Sequence, residues 1–217
     1  MPTTLGDLPV PNWDFSLEIP DDWYVHDPDP KTRRATTAGD VEARLRGRPV
    51  LPGVAEDLMS VLLDFAVDAD DKGALASATL WEPGELAPLS ANLMVLLAPR
   101  SAERPDEEIA SLCSALSRPG AGEMGDREIA AVELPVGPAV RLRLLASAEA
   151  GPGEASVVLC AVQHWIPVPG QPQVAVVSAS TPCLGFAEDL VGVFDRIAAS
   201  LRFTALQEKT PEDKSRA

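Results

Sequence analysis

Histidine, cysteine and tyrosine are scarce in this sequence, at 2, 3 and 1 among 217 residues. His26 and His164 are the only histidines, and no cluster of His, Cys and acidic residues offers the three or four ligands of a zinc site. No metal or other cofactor is therefore expected. Cys113, Cys160 and Cys183 are odd in number and contain no CxxC pair, so they read as small apolar residues of a reducing compartment. Positive charge is also short: 18 Lys and Arg stand against 33 Asp and Glu, for a net charge of −15. Such a chain repels nucleic acid and anionic membranes. Long hydrophobic runs are missing, since LMVLLA at residues 93–98 is far below the roughly 20 residues that span a bilayer. The opening MPTTLGDLPVPNW has neither the basic segment nor the apolar run of a signal peptide, which leads to an expected cytoplasmic location. GxSxG, GxxxxGK[ST] and GxGxxG are absent, which removes the common hydrolase, nucleotide and dinucleotide signatures.

What is present is enough apolar material for a core: 46% of residues are hydrophobic. The length suits one domain over residues 1–204, with residues 205–217 as a polar, disordered tail. The most informative stretch is residues 155–203. Val157, Leu159, Ala161 and Trp165 alternate with Val158, Cys160, Val162 and Ile166, so a strand over 157–166 is apolar on both sides and covered on both faces. PVPGQP makes a hairpin to a second such strand at 173–181. A helix follows, in which Phe186, Leu190, Val193, Phe194, Ile197 and Leu201 form one apolar stripe, with Asp195 and Ser200 outside it.

The rest of the chain supplies further elements. Residues 13–19 alternate as a strand that Pro20 ends, and 23–26 form a short strand. Helical potential runs over 40–46, then a firmer helix over 52–67 buries Val54, Leu58, Val61, Leu62 and Phe65. Strands at 74–82 and 90–98 precede an amphipathic helix at 105–117, and RPGAGEMGD at 118–126 reads as a mobile linker. Strands 128–134 and 139–145 are joined tightly through PVGP. This order predicts an α+β fold, a mainly antiparallel sheet flanked by helices.

Two groups of residues are candidate sites. Residues 31–48 carry Arg33, Arg34, Arg44, Arg46 and Arg48 in an otherwise acidic chain, a basic patch suited to a protein partner or a solvated face paired with neighbouring acids. On strand 139–145, Arg141 and Arg143 point away from Val140, Leu142 and Leu144, able to hold a carboxylate or phosphate or to pair with Glu133. With His164 and Trp165 they are the candidate pocket. Catalytic residues are not assigned. Cys160 and His164, four apart on one strand, are separated by about 13 Å, too far for a nucleophile and its base. The pairs Asp21–Asp22 and Asp70–Asp71 fall in predicted turns, where Asp is favoured for backbone reasons.

FSLEIPDDW, VQHWIPVPG, STP and FAEDLVGVFDRIAASLRF together resemble small actinobacterial proteins of PsbP-like or LpqN-like type, some of them associated with type VII secretion. The matching features are a strand leading into Ile19, Pro20 and Trp23, and a helix closing with Ser200 to Phe203. The resemblance implies an α/β/α sandwich and a binding or accessory role without catalysis. The expected function is accordingly a non-catalytic cytoplasmic accessory protein that binds another protein, in a secretion or export system. The alternatives are an acidic, immunity-type inhibitor of a basic protein and a small-molecule binder with its pocket between sheet and helices.

Overall fold

The computed structural model describes residues 13–48, 52–84, 87–102, 104–118, 120, 123–149 and 156–205. The tail beyond residue 205 lies outside the described residues. The described residues contain nine strands: β1 (Trp13–Ser16), β2 (Trp23–Val25), β3 (Ala76–Glu82), β4 (Leu89–Pro99), β5 (Glu123–Leu134), β6 (Gly137–Glu149), β7 (Ser156–Pro167), β8 (Gln173–Thr181) and β9 (Arg202–Ala205). The helices are α1 (Arg33–Leu45), α2 (Val54–Asp71), α3 (Pro105–Leu116) and α4 (Ala187–Ala199). Seven strands form one sheet in the order β2-β3-β4-β8-β7-β6-β5, and every neighbouring pair is antiparallel. β1 and β9 form a separate two-stranded ribbon. The class is α+β, as the order of elements predicts.

The hairpins follow from turn chemistry. Leu134 pairs with Gly137, leaving Pro135 and Val136 as a two-residue loop. Between β7 and β8, Gly170 takes a φ of 69°, and the Val168 N–H donates to the Gln173 carbonyl at 2.9 Å. β7 and β8, whose apolar residues at both parities marked them as covered on both faces, lie inside the sheet; the cover is complete for Val162, Ile166, Val174, Val176 and Val177, whereas Gln163, Ser178 and Ser180 are half-buried.

Helices lie on both faces. On one face α4 seals the sheet, with Leu190, Phe194 and Ile197 packed against Leu93, Val162, Val177 and Ala179. On the other, α1 and α2 cover β2 and β3 through Val41, Leu58, Leu62 and Tyr24, and α3 covers the β5–β7 side through Leu112 against Val140 and Val174. The ribbon closes the two ends of the described chain together: Trp13 stacks edge-on against Phe203 at 5.1 Å and donates its Nε1 proton to Gln173 Oε1 at 3.0 Å.

Several sequence expectations are corrected. α1 begins at Arg33 rather than residue 40, because Asp27 accepts hydrogen bonds from the Thr32 and Thr36 hydroxyls and fixes the first turn ahead of the weak helix formers Thr36, Thr37 and Gly39. Residues 123–126 of the presumed linker belong to β5, where Gly125, at φ 75°, makes a bulge that restores pairing at Glu128. Val61, expected in the buried stripe of α2, is 51% exposed, since the packed face is centred on Leu58, Leu62, Ala66 and Ala69. The closing segment carries a strand, β9, in place of the last helical turn.

Candidate functional site

The four pocket candidates divide between the two faces. Arg141, Arg143 and His164 point toward α4, whereas Trp165 points the other way, packs in the α3 cluster and donates to Gln163 Oε1 at 3.1 Å. The face that bears the arginines is not open: the edge of α4 lies over it. Asp195, expected outside the helix stripe, turns to the sheet and accepts Arg141 Nε at 2.8 Å and Nη2 at 3.2 Å. His164 Nε2 lies 3.1 Å from the same carboxylate. Arg143 holds Glu188 with both terminal nitrogens. Glu133, the partner foreseen for the arginines, sits opposite Pro138 instead.

Burial pushes the His164 imidazole down to about 4, with the Arg141 charge adding to that direction and Asp195 opposing it. Hydrogen bonding to Glu188 raises Arg143, and in return lowers Glu188. The geometry therefore consumes these groups in fastening α4 to β6 and β7. A histidine and a carboxylate are paired, but His164 is 2% exposed, so water and substrate have little access to the couple.

The basic segment is also largely spent. Arg33 is 5% exposed, donates to the Asp27 and Pro28 carbonyls at 2.7 and 3.1 Å, and pairs with Asp70 at 2.8 Å. Arg44 lies over the Tyr24 ring at 3.9 Å and donates to the carbonyls of Asp21, Asp22 and Trp23. Arg46 pairs with Glu42 and Arg48 with Glu82 on the surface. Arg34 and Arg44 are the two of the five without an ion pair among the described residues, and Arg34 borders an apolar hollow of about 730 Å³ between α1 and α2.

Sequence reasoning missed a slot beside α4. A hollow of about 760 Å³ is lined by Trp23, Leu80, Leu89, Leu190 and Val193, and it shares Leu89 and Phe186 with a neighbouring hollow of about 470 Å³. Phe186, placed by its spacing in the buried helix stripe, lies in the 3-10 turn Leu184–Phe186 ahead of α4 and is 57% exposed. The rim carries Glu18, Asp21, Asp22 and Asp189 against the single cation Arg196. Arg44 fixes the rim by holding the backbone of residues 21–23, and the Glu18 N–H donates to Ser200 Oγ at 2.8 Å. The acidic pair Asp21–Asp22 next to Trp23 was the available signal, together with a helix stripe whose first member preceded the helix.

A third surface is the half of the sheet that no helix seals. In the middle of β4, β8 and β7, Ala91, Leu93, Val95, Val162, Val177 and Ala179 facing α4 are buried, whereas on the opposite face Asn92, Met94, Ser178, Ser180 and Gln163 are only half-buried, next to the buried Val174 and Val176. α2 packs on β3 and α3 on β5, β6, β7 and the Val174 end of β8, which leaves Asn92 and Met94 of β4 and Ser178 and Ser180 of β8 between them. The Thr79 hydroxyl gives its one proton to Asn92 Oδ1 at 2.9 Å, so His26 Nε2 is the donor in its 3.0 Å contact with Thr79. The floor is uncharged, with the polar Asn92, Ser178, Ser180 and Gln163 beside Met94.

Among the described residues no helix is long and apolar enough to cross a membrane, and no group of His, Cys, Asp and Glu is placed to hold a metal ion. No protein-family model matches the chain, and no curated protein matches it. Among solved structures, the chain is similar to LpqN, described as involved in cell envelope biogenesis of Mycobacterium tuberculosis. The two share 13% identity over 88% of this chain and 84% of that one, with a TM-score of 0.40.

Proposed function

We propose that this chain is a non-catalytic accessory module that binds another protein, and that the slot beside α4 is its docking surface. The supporting observation is the exposure of Phe186, at 57% the most exposed large apolar side chain among the described residues, where it lines the slot, with Leu184 of the same 3-10 turn 45% exposed. Aromatic side chains in such positions anchor protein interfaces. The groups with chemical promise, His164, Cys160, Arg141 and Arg143, are buried or paired, which favours binding over catalysis. Retention of partners from a lysate of the native host, identified by mass spectrometry, tests the reading against the double variant Leu184→Glu, Phe186→Glu. One protein held in stoichiometric amount by the wild type and lost by the variant is expected. Identical retention by both would remove the slot from the function.

A second reading rests on the uncharged floor formed by Asn92, Ser178, Ser180 and Gln163: a small neutral ligand between α2 and α3. Its amides and hydroxyls suit a ligand recognised by hydrogen bonds rather than by charge. Thermal-shift screening with uncharged metabolites, repeated on Asn92→Ala, separates this reading from the first.

A further inference from the structure

We infer that the slot beside α4 takes a basic amphipathic peptide segment of the partner, with an apolar side chain seated against Phe186 and Leu89 and Lys or Arg side chains on the acidic rim. The inference rests on the docking reading above and adds the chemistry of what docks.

The first observation is unspent charge. Glu18, Asp21, Asp22 and Asp189 are all exposed, and among the described residues none of the four has an ion-pair partner. Elsewhere acids beside arginines are paired, as Asp195 is with Arg141 and Glu188 with Arg143. Arg44 comes close enough to bond three carbonyls of this loop, yet it pairs with neither Asp21 nor Asp22. Its guanidinium holds the backbone and leaves the carboxylates facing outward.

The second observation is that the rim is fixed before a ligand arrives. The Trp23 N–H donates to the Pro20 carbonyl at 3.0 Å, Glu18 is tied to Ser200, and Trp23 packs edge-on against Phe194 of α4 at 6.2 Å. A rim built this way loses little conformational entropy when a partner binds. The third is apolar: a cation alone would not need Phe186 and Leu89 beside it, and an apolar segment without cations would leave the rim carboxylates poorly solvated. The net charge of −15 turns away anionic segments and membranes and steers cationic ones inward. It also disfavours a second copy of this chain, whose Arg33 is buried and whose half-buried Arg44 is engaged with the carbonyls of residues 21–23.

The test uses two fluorescein-labelled 15-residue amphipathic peptides, one of Lys, Leu and Phe and the other with Glu in place of Lys, titrated with the full chain by fluorescence anisotropy. The Lys peptide is expected to bind and the Glu peptide not. Asp21→Asn with Asp22→Asn should weaken binding about tenfold, as should Phe186→Ser, and half-molar salt should weaken it by a similar factor. Asp57→Asn with Asp71→Asn removes the same charge far from the slot and should leave affinity within about twofold. Equal weakening by both acidic pairs would mean adsorption to a negative protein and would overturn the inference. So would unchanged binding by Phe186→Ser. A dimer in sedimentation that Phe186→Ser abolishes would assign the slot to a second copy and overturn it as well. If neither peptide binds while Leu184→Glu, Phe186→Glu still loses its lysate partner, docking at the slot stands and the basic segment falls.

Discussion

Arg44 is the residue on which the rim of the slot depends, although in sequence it is one of five similar arginines. Its planar fork reaches the carbonyls of Asp21, Asp22 and Trp23 while its face rests on Tyr24. A charged donor shared among carbonyls, with a cation–π contact beneath it, makes Arg44→Ala cost about 2–3 kcal/mol. Arg44→Lys should recover less than half of that, because an ammonium cannot span the same acceptors. Urea unfolding midpoints check the loss, and faster amide exchange at Trp23 locates it. The two histidines give a second prediction at this scale. Burial lowers His26 and His164 from 6.5 to about 4 in the fold. Above pH 6.5 both are neutral, folded or unfolded, and contribute nothing to pH dependence. As pH falls from 6.5 to 4 the unfolded chain takes up protons that the folded chain refuses, so stability declines across that window, by up to about 3 kcal/mol per histidine. His26→Gln with His164→Gln should flatten the slope of unfolding free energy between those pH values. An unchanged slope would mean that the imidazoles titrate normally in the fold.

Elements differ in how far local sequence determines them. β7, β8 and α4 were legible because burial on both faces of a strand, and on one stripe of a helix, leaves a periodic record. α1 was half hidden: Thr36, Thr37 and Gly39 are weak helix formers, and its first turns are fixed by Asp27, which precedes the helix, and by Arg33 reaching back to the Asp27 carbonyl. β9 was hidden because its pairing partner, β1, lies at the other end of the chain, and no local signal marks a long-range ribbon. The bulge at Gly125 disguised the start of β5 as a linker. Gly39 in α1 and Gly192 in α4 have ordinary helical backbones, and an added Cβ would meet nothing within 4 Å at Gly39 and only Arg196 Nη1 at 3.6 Å at Gly192. Gly39→Ala and Gly192→Ala should each raise stability by about 0.5–1 kcal/mol, measured by chemical denaturation. Destabilisation at Gly192 would mean that α4 needs a closer approach there than the packing shows.

At the scale of the whole molecule, the candidate site was poorly legible because its parts come from three distant stretches, residues 18–23, 80–89 and 184–200. The arginines drew attention through their charge, yet the fold uses Arg33, Arg44, Arg141 and Arg143 internally, and the surface left over is acidic. Charge also sets a global balance. With 33 acids against 18 bases, the folded chain compresses an excess of like charge, and its exposed ion pairs return little of that cost. Adding salt screens the repulsion more than it weakens those pairs, so the melting temperature should rise between 20 mM and 500 mM sodium chloride. A complex at the slot should respond with the opposite sign, because the attraction between its rim and a cationic segment is screened over the same range. Measuring melting temperature and peptide affinity on one salt series tests both. If the melting temperature fell with salt, attraction within the fold would outweigh its repulsion. The acidic rim would then have to be regarded as part of the protein's own stability rather than as a surface kept for a partner.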